Sequence, residues 1–215
     1  MEFIKHFVDL FLHLDVHLSE LIAAYGTWTY GILFGIIFCE TGLVVTPFLP
    51  GDSLLFAAGT FAGIGSLNPG FLFLLLFSAS VLGDTTNYWV GRFIGTRAFS
   101  GNLRFLKQEH LNKTRAFYDR HGRKTVILAR FLPIIRTFAP FVAGVGEMPY
   151  SRFLSFSLVG SAAWVGLFVG AGYFFGNIPV VRSHFSIVVM GIITVSLLPL
   201  LIEALKGWRA SRQAG

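Results

Sequence analysis

Two long apolar stretches of this chain carry almost no charge, and each is interrupted near its middle by the same tripeptide, Phe-Leu-Pro. The first stretch, residues 30–59, contains two acids as its only charges, and the second, residues 125–144, contains two arginines. These four side chains are Glu40, Asp52, Arg130 and Arg136. A charge in hydrocarbon costs about 2.5 to 3.5 kcal/mol, so we predict that the four face one another or a wet cavity.

The composition indicates an integral membrane protein. Hydrophobic residues make up 54% of the chain and charged residues only 13%, with a mean hydropathy of +0.68, whereas about a quarter of a soluble domain is charged. Residues 153–175 and 185–202 carry no charge, and residues 71–90 carry only Asp84. Since a spanning helix needs about 20 apolar residues, we predict an all-α integral membrane protein with one membrane domain over residues 1–215.

Basic residues are concentrated in two places. Residues 97–124 contain eight Lys or Arg side chains against two acids, and residues 207–215 form a basic tail. The positive-inside rule predicts that both are cytoplasmic in a multi-pass protein of a bacterial inner membrane. Topology and anionic lipid explain this charge more simply than nucleic acid, so no nucleic-acid partner is expected.

The N-terminal residues 1–25 are predicted to form an amphipathic helix. Its apolar positions recur at three- and four-residue spacing, which favours the membrane interface over a crossing, although a crossing stays open. Asp9, His13 and His17 are spaced so that they could hold a metal ion, but a solvated polar face explains them better, and we expect no metal and no cofactor. The single cysteine, Cys39, excludes an intramolecular disulfide.

Three motifs recur along the chain with offsets of 83, 85 and 81 residues. Each half then consists of a hairpin broken by Pro or Gly, followed by one spanning helix. Because each half crosses the membrane once, the second half is predicted to have the opposite orientation in the membrane. The predicted segments are repeat 1 at residues 26–96, repeat 2 at residues 125–177 and a final transmembrane helix at residues 183–206.

The hairpin breaks coincide with the charges. The arm after the first break, residues 53–65, is too short to span, so the break should be re-entrant and either buried in protein or next to a cavity. Paired broken segments in two repeats indicate a transporter's substrate site near the bilayer midplane. The breaking residues are Pro47, Pro50, Gly51, Pro133 and Pro140.

The charged residues of the two breaks suggest distinct roles. Arg130 and Arg136, with Thr137 beside them, offer planar forks that fit a phosphate; alternatively, both arginines only cap helices or pair with acids. Burial favours the protonated form of a carboxyl group, whereas a neighbouring guanidinium favours the ionised form. Glu40 and Asp52 are subject to both effects, so either could take up and release a proton; alternatively, they form a static salt bridge.

A secondary polar group lies in the predicted span at residues 71–90. Asp84 and Tyr88 share a helical face, with Arg92 one turn further on; helix packing is the favoured role, and direct substrate contact is the alternative. Small-residue spacing in the next span indicates close helix packing, either within the monomer or in a homo-oligomer. The glycines concerned are Gly166, Gly170, Gly172 and Gly176.

Enzymatic function is not indicated. The chain has no Gly-x-Ser-x-Gly elbow and no P-loop, and within the hydrophobic segments the only histidine is His184, at a boundary. We therefore expect a protein that is not an enzyme.

The residues ETGLVVTPFLPGDSLLFAAG, GDTTNYWVGR and ARFLPIIRTFAPFVAG, followed by AGYFFG, resemble the DedA family of membrane proteins, the SNARE-associated or VTT-like group. The resemblance covers essentially the whole chain. It implies two opposed re-entrant hairpins and lipid transport linked to the proton-motive force, either recycling of undecaprenyl phosphate or movement of phospholipid between leaflets. The essential acids and arginines of that family match Glu40, Asp52, Arg130 and Arg136.

The functional hypothesis is a lipid-phosphate translocase whose partners are membrane lipids and protons. Three alternatives remain: a phosphatidylethanolamine flippase or scramblase, a proton-coupled ion or drug antiporter, and an assembly factor whose charges only hold the fold.

Overall fold

The computed structural model describes residues 14–43, 51–97 and 133–195, and all regular secondary structure in these ranges is helical, as predicted. The rest of the predicted first helix, the basic segment after residue 97 and the C-terminal tail lie outside the described residues. The helices are α1 (Leu14–Tyr25), α2 (Trp28–Gly42), α3 (Gly51–Gly63), α4 (Pro69–Arg97), α5 (Pro133–Val145), α6 (Tyr150–Phe175), α7 (Pro179–Ser183) and α8 (Phe185–Val195).

Helices α4 and α6 are long and apolar enough to cross a membrane. With 29 and 26 residues, each is about 40 Å long, against a hydrocarbon core of about 30 Å. Both begin before the predicted ranges because their start signals lie further out, and α4 also continues past residue 90 to Arg97. The Asn68 side chain accepts the N–H of Phe71 at 3.0 Å, with Pro69 at the first helical position, and Pro149 precedes α6.

Helices α3 and α5 have 13 residues each and are too short to span, at about 20 Å. Both begin in the middle of the molecule, and they run toward opposite ends. Helix α3 ends at the turn before Asn68, whose N–H donates to the hydroxyl of Tyr30 at 2.7 Å. Helix α5 ends at the turn before Tyr150. We call these two ends of the molecule the Asn68 end and the Tyr150 end.

Glycines bring each short helix against a long one. Helix α3 packs on α6, where Gly59 lies against the main chain of Val169 and Gly172 against that of Phe56. Helix α5 packs on α4 in the same way. A Cβ at any of these glycines would overlap the neighbouring backbone, so the helices approach closely only because the side chain is absent. The contacts of the second pair are Gly144 with Tyr88 and Gly91 with Phe141.

The predicted glycine series in α6 is only partly used for this packing. Gly172 and Gly176 lie against α3, Gly176 next to Thr60, so their contacts are within the monomer. Gly166 makes an ordinary contact with the ring of Phe73, and a Cβ at Gly170 would meet no described atom within 4 Å. The spacing identified four glycines, but close packing requires glycine at only two of these positions, Gly172 and Gly176.

Two apolar clusters lie along α4, and polar side chains separate them. The larger cluster joins α2, α3, α4 and α6 and includes Leu76 and Trp164. The smaller cluster lies at the Tyr150 end, where the ring of Tyr88 stacks on Phe153 at 4.6 Å between centroids. Between Leu76 and Tyr88, α4 buries Asp84 and other polar residues. This polar layer crosses the middle of both long helices.

Candidate functional site

The described ion pairs of the molecular interior converge on one guanidinium. Arg136 Nη1 donates to Asp52 Oδ1 at 2.7 Å, and Nη2 donates to Glu40 Oε1. Arg136 and Asp52 are 3% and 7% exposed, and Glu40 is fully buried. Three of the four charges predicted to face one another therefore lie in direct contact, on α2, α3 and α5.

Trp164 on α6 completes this cluster and was not predicted. Its indole N–H donates to Asp52 Oδ1 at 2.8 Å, and its ring centroid lies 4.6 Å from the guanidinium carbon of Arg136. Trp164 is itself fully buried. The ring thus gives a cation–π contact to the arginine and a hydrogen bond to one of its carboxylates. The sequence signal was a tryptophan in the interior of the span whose immediate neighbours are small or aliphatic.

Two of the charged residues lie at helix ends where the helix dipole disfavours their charge. Glu40 is in the last turn of α2, where partial negative charge accumulates, and Arg136 is in the first turn of α5, where partial positive charge accumulates. Asp52, in the first turn of α3, is favourably placed. The pairing of Glu40 with Arg136 offsets two unfavourable placements, which is typical of functional residues held in place by their surroundings.

The backbone around Gly51 completes the binding of Glu40. The Gly51 N–H donates to Glu40 Oε1 at 3.1 Å, and a Cβ at Gly51 would overlap the Glu40 carboxylate. Glu40 Oε2 has no hydrogen-bond partner among the described residues. Gly51 was predicted as a hairpin break, and its position shows that any side chain there would displace the carboxylate.

Asn87 of α4 connects the two broken segments. Its amide donates to the carbonyl of Thr41 at 3.2 Å and to that of Thr137 at 2.6 Å. Thr41 and Thr137 directly follow Glu40 and Arg136, so one buried amide holds the backbone next to both members of the ion pair. Because Pro140 lies inside α5, the carbonyl of Arg136 lacks its usual helical N–H partner.

The secondary residues predicted on α4 take part in helix packing. Asp84 accepts the hydroxyl of Ser157 at 2.7 Å, which joins α4 to α6 at a buried position. The Tyr88 hydroxyl donates to the carbonyl of Met148, and Arg92 donates to the Tyr88 oxygen at 2.9 Å. These contacts favour the packing role at the Tyr150 end. Asp84 also contributes to the electrostatic field at Arg136.

Other predicted site residues differ in how far they are described. Pro47, Pro50 and Arg130 lie outside the described residues, so their predicted roles stay predictions. Pro133 is the first residue of α5, a position for which proline is well suited, and its predicted role as a hairpin break stays a prediction. Thr137, predicted beside the phosphate, is buried next to Arg136.

An open cleft of about 390 Å³ lies away from this cluster, at the Asn68 end. Thr60, Asn177 and Arg182 contribute to its wall. It is separated from Asp52 by two turns of α3. Its charged groups are exposed rather than buried, so the Arg136 cluster is the better candidate for chemistry in the membrane interior.

Comparison with known proteins identifies relatives over the full chain. Residues 49–174 match the VTT domain. The chain is 51% identical to Protein DedA of Escherichia coli K12, covering 100% of this chain and 99% of that protein. It is 47% identical to an uncharacterized membrane protein of Mycobacterium leprae, over 81% of this chain and 79% of the relative. Inner membrane protein YghB of Escherichia coli K12 is 34% identical over 72% and 71%. No solved structure matches.

Proposed function

Because the chain belongs to the DedA family of VTT-domain membrane proteins, we propose that it moves a lipid phosphate between the leaflets of the bacterial inner membrane. Undecaprenyl phosphate is the proposed substrate, and the proton-motive force is the proposed drive. Arg136, with Arg130 and Thr137, would bind the phosphate. The observation that carries the proposal is that both terminal nitrogens of Arg136 hold buried carboxylates of α2 and α3, beside the middle of the spanning helices α4 and α6.

The occupied guanidinium supports a link between proton uptake and phosphate binding. A carboxylate and a phosphate both fit the guanidinium fork, so they compete for the same nitrogens of Arg136. When a proton neutralises a carboxylate, its attraction to Arg136 falls, and the nitrogen becomes available for the lipid phosphate. Glu40 and Asp52 are the two carboxylates that this exchange would use. Protonation and substrate binding then favour each other, as linkage requires.

We further propose that residues 26–96 and 125–177 are inverted repeats with re-entrant hairpins. Three features support this: α3 and α5 have equal length, they run to opposite ends, and each packs through glycines on the long helix of the other half. With the basic segment 97–124 and the C-terminus cytoplasmic, the Tyr150 end faces the cytoplasm and the Asn68 end the periplasm. The phosphate would then reach Arg136 from either side as the short helices move.

The test is transport by purified protein in liposomes. Movement of undecaprenyl phosphate and of fluorescent phosphatidylethanolamine between leaflets is measured with and without a pH gradient, for the native protein and for Glu40→Gln. The proposal expects undecaprenyl phosphate to move, faster with the gradient, and the gradient response to disappear in Glu40→Gln. Movement of both lipids regardless of gradient would indicate a scramblase instead.

A proton-coupled antiporter of a small cation is the second candidate function. It is favoured by the buried charges of the described residues, which are three carboxylates against one guanidinium. A cation entering such a site would replace a proton. Cation-dependent proton movement in liposomes that is unaffected by lipid phosphate would support this candidate and oppose lipid transport.

A further inference from the structure

The two carboxylates bound to Arg136 have different surroundings. Asp52 Oδ1 accepts two side-chain donors, Arg136 Nη1 at 2.7 Å and Trp164 Nε1 at 2.8 Å. On Glu40, both donors, Arg136 Nη2 and the Gly51 N–H, reach the same oxygen, Oε1. Glu40 Oε2 is buried and lacks a hydrogen-bond partner among the described residues. Asp52 is thus solvated as an anion by the protein, whereas half of the Glu40 carboxylate is not.

Trp164 contributes to this difference without carrying charge. An indole N–H only donates hydrogen bonds, so it stabilises an ionised acceptor and offers nothing to a proton. Its ring also lies on the Arg136 guanidinium, which keeps the arginine next to Asp52. Trp164 is fully buried on α6, and it belongs to a spanning helix rather than to a broken segment. Its position therefore fixes both partners of the Asp52–Arg136 pair.

The charges around Glu40 make full ionisation of all acids unfavourable. Arg136 on α5 is the one cation that the described residues bring to Glu40. Asp52 on α3 shares this cation, and Asp84 on α4 adds negative charge near Arg136. Helix α6 faces the cluster with the neutral Trp164 and Ser157. When two carboxylates share one cation in a buried site, the less well solvated one takes up a proton first.

We propose that Trp164 is a positioning residue that keeps Asp52 ionised against Arg136, and that the transported proton is carried on Oε2 of Glu40. This inference rests on the proposed proton-coupled function and assigns its proton to one atom. A proton from water forms the O–H bond at Oε2, while Oε1 remains an acceptor for Gly51. Glu40 loses its charge, and Arg136 Nη2 is released for the substrate phosphate. The proton returns to water on the opposite side after the phosphate has left.

Infrared difference spectroscopy tests this assignment, because a protonated carboxyl group has a C=O stretch that an ionised one lacks. The full chain in nanodiscs is titrated with acid in the absence of any lipid phosphate. The proposal expects one buried carboxyl band, which is lost in Glu40→Gln and retained in Asp52→Asn. Loss of the band in Asp52→Asn and its persistence in Glu40→Gln would overturn the assignment of the proton to Glu40, whatever the spectra of the Trp164 variant show.

The role of Trp164 is tested by Trp164→Phe, which keeps an aromatic ring for Arg136 but removes the N–H. Without that donor, the Asp52 carboxylate loses one of the hydrogen bonds that favour its ionised form. We expect a second carboxyl band, from Asp52, over the acid range in which the native protein shows only the Glu40 band. The control is Trp89→Phe on the exposed side of α4, which should leave the spectrum unchanged. A spectrum of folded Trp164→Phe identical to that of the native protein would overturn the positioning role.

These spectra are recorded without substrate, so they distinguish two kinds of failure. If Glu40 carries the proton but undecaprenyl phosphate does not move in liposomes, the proposed function fails and the assignment of the proton stands. If the lipid moves but the titrating band belongs to Asp52, the present inference fails and the proposed function stands.

Discussion

Asp52 and Arg136 form an ion pair at 2.7 Å although they are 84 residues apart in the chain. That separation falls within the offsets of 81 to 85 residues between the repeated motifs. Each residue lies in the first turn of a 13-residue helix, and the two helices run to opposite ends. Equivalent positions of two inverted repeats approach each other near the pseudo-two-fold axis that relates the repeats. The Asp52–Arg136 pair therefore lies close to the axis of the proposed inverted repeat.

Replacing Arg136 by lysine tests whether the guanidinium fork is needed. A lysine keeps the positive charge but cannot bind two groups through parallel N–H donors. Losing one charge-assisted hydrogen bond, about 1.5 to 3 kcal/mol, should slow undecaprenyl phosphate movement in liposomes by roughly 10- to 100-fold. Arg152→Lys, at the exposed start of α6, is the control and should transport normally. Normal transport by Arg136→Lys would contradict the phosphate-fork argument.

Exchanging the charges of one pair separates transport from a purely structural role. The double variant Asp52→Arg with Arg136→Asp retains one ion pair but moves the guanidinium from α5 to α3. We expect folded protein with little or no lipid movement, because the arginine then lies on the wrong helix for the substrate. Thermal unfolding in detergent checks folding, and the liposome assay checks transport. Full activity of the exchanged pair would support the assembly-factor alternative.

Asn87 should be important for stability. Its amide holds the carbonyls of Thr41 and Thr137, and Asn87→Leu would leave both without this donor. The free energy of unfolding should fall by about 1 to 3 kcal/mol, which is the cost of unsatisfied buried polar groups. Unfolding in detergent measures the change, with Thr86→Ala, on the exposed side of α4, as a control near zero. A loss no larger than that of Thr86→Ala would show that the two carbonyls do not depend on Asn87.

Two glycines separate close helix packing from simple helix propensity. A Cβ at Gly59 would overlap the main chain of Val169, whereas a Cβ at Gly170 would meet no described atom within 4 Å. Gly59→Ala should therefore destabilise the protein by about 1 to 3 kcal/mol. Gly170→Ala should be neutral or stabilising by up to about 1 kcal/mol, because alanine favours the helix. Equal melting temperatures of the two variants would contradict the packing of α3 on α6.

The sidedness of the molecule is tested by accessible cysteines. In a Cys39→Ala background, Ser66→Cys lies in the exposed turn at the Asn68 end, and Ser151→Cys lies at the exposed start of α6. A membrane-impermeant maleimide added to spheroplasts should label Ser66→Cys readily and Ser151→Cys only after permeabilisation. The reverse pattern would invert the proposed topology.

The sequence predicted the elements that composition determines. Long uncharged runs predicted α4 and α6, and the cost of charge in hydrocarbon predicted that Glu40, Asp52 and Arg136 would not be left isolated. Helix bounds were less accurate because caps such as Asn68 lie outside the apolar runs that defined them.

Partners of buried side chains were harder to predict. Trp164 is surrounded by small and aliphatic residues in the chain, so periodicity alone did not distinguish a site residue from a lipid-facing one. Asn87 did carry a signal, because an amide at membrane depth needs hydrogen-bond partners, but the carbonyls of Thr41 and Thr137 are identified only by the fold.

The central claim is that a lipid phosphate takes the place of a newly protonated carboxylate at Arg136. Its most direct test is proton uptake on binding, measured by calorimetry of undecaprenyl phosphate with the full protein in detergent, in buffers of different ionisation enthalpy. The account predicts uptake of about one proton for each lipid bound, and its disappearance in Glu40→Gln, as linkage between the two binding steps requires. Binding without proton uptake, or uptake that persists unchanged in Glu40→Gln, would contradict it.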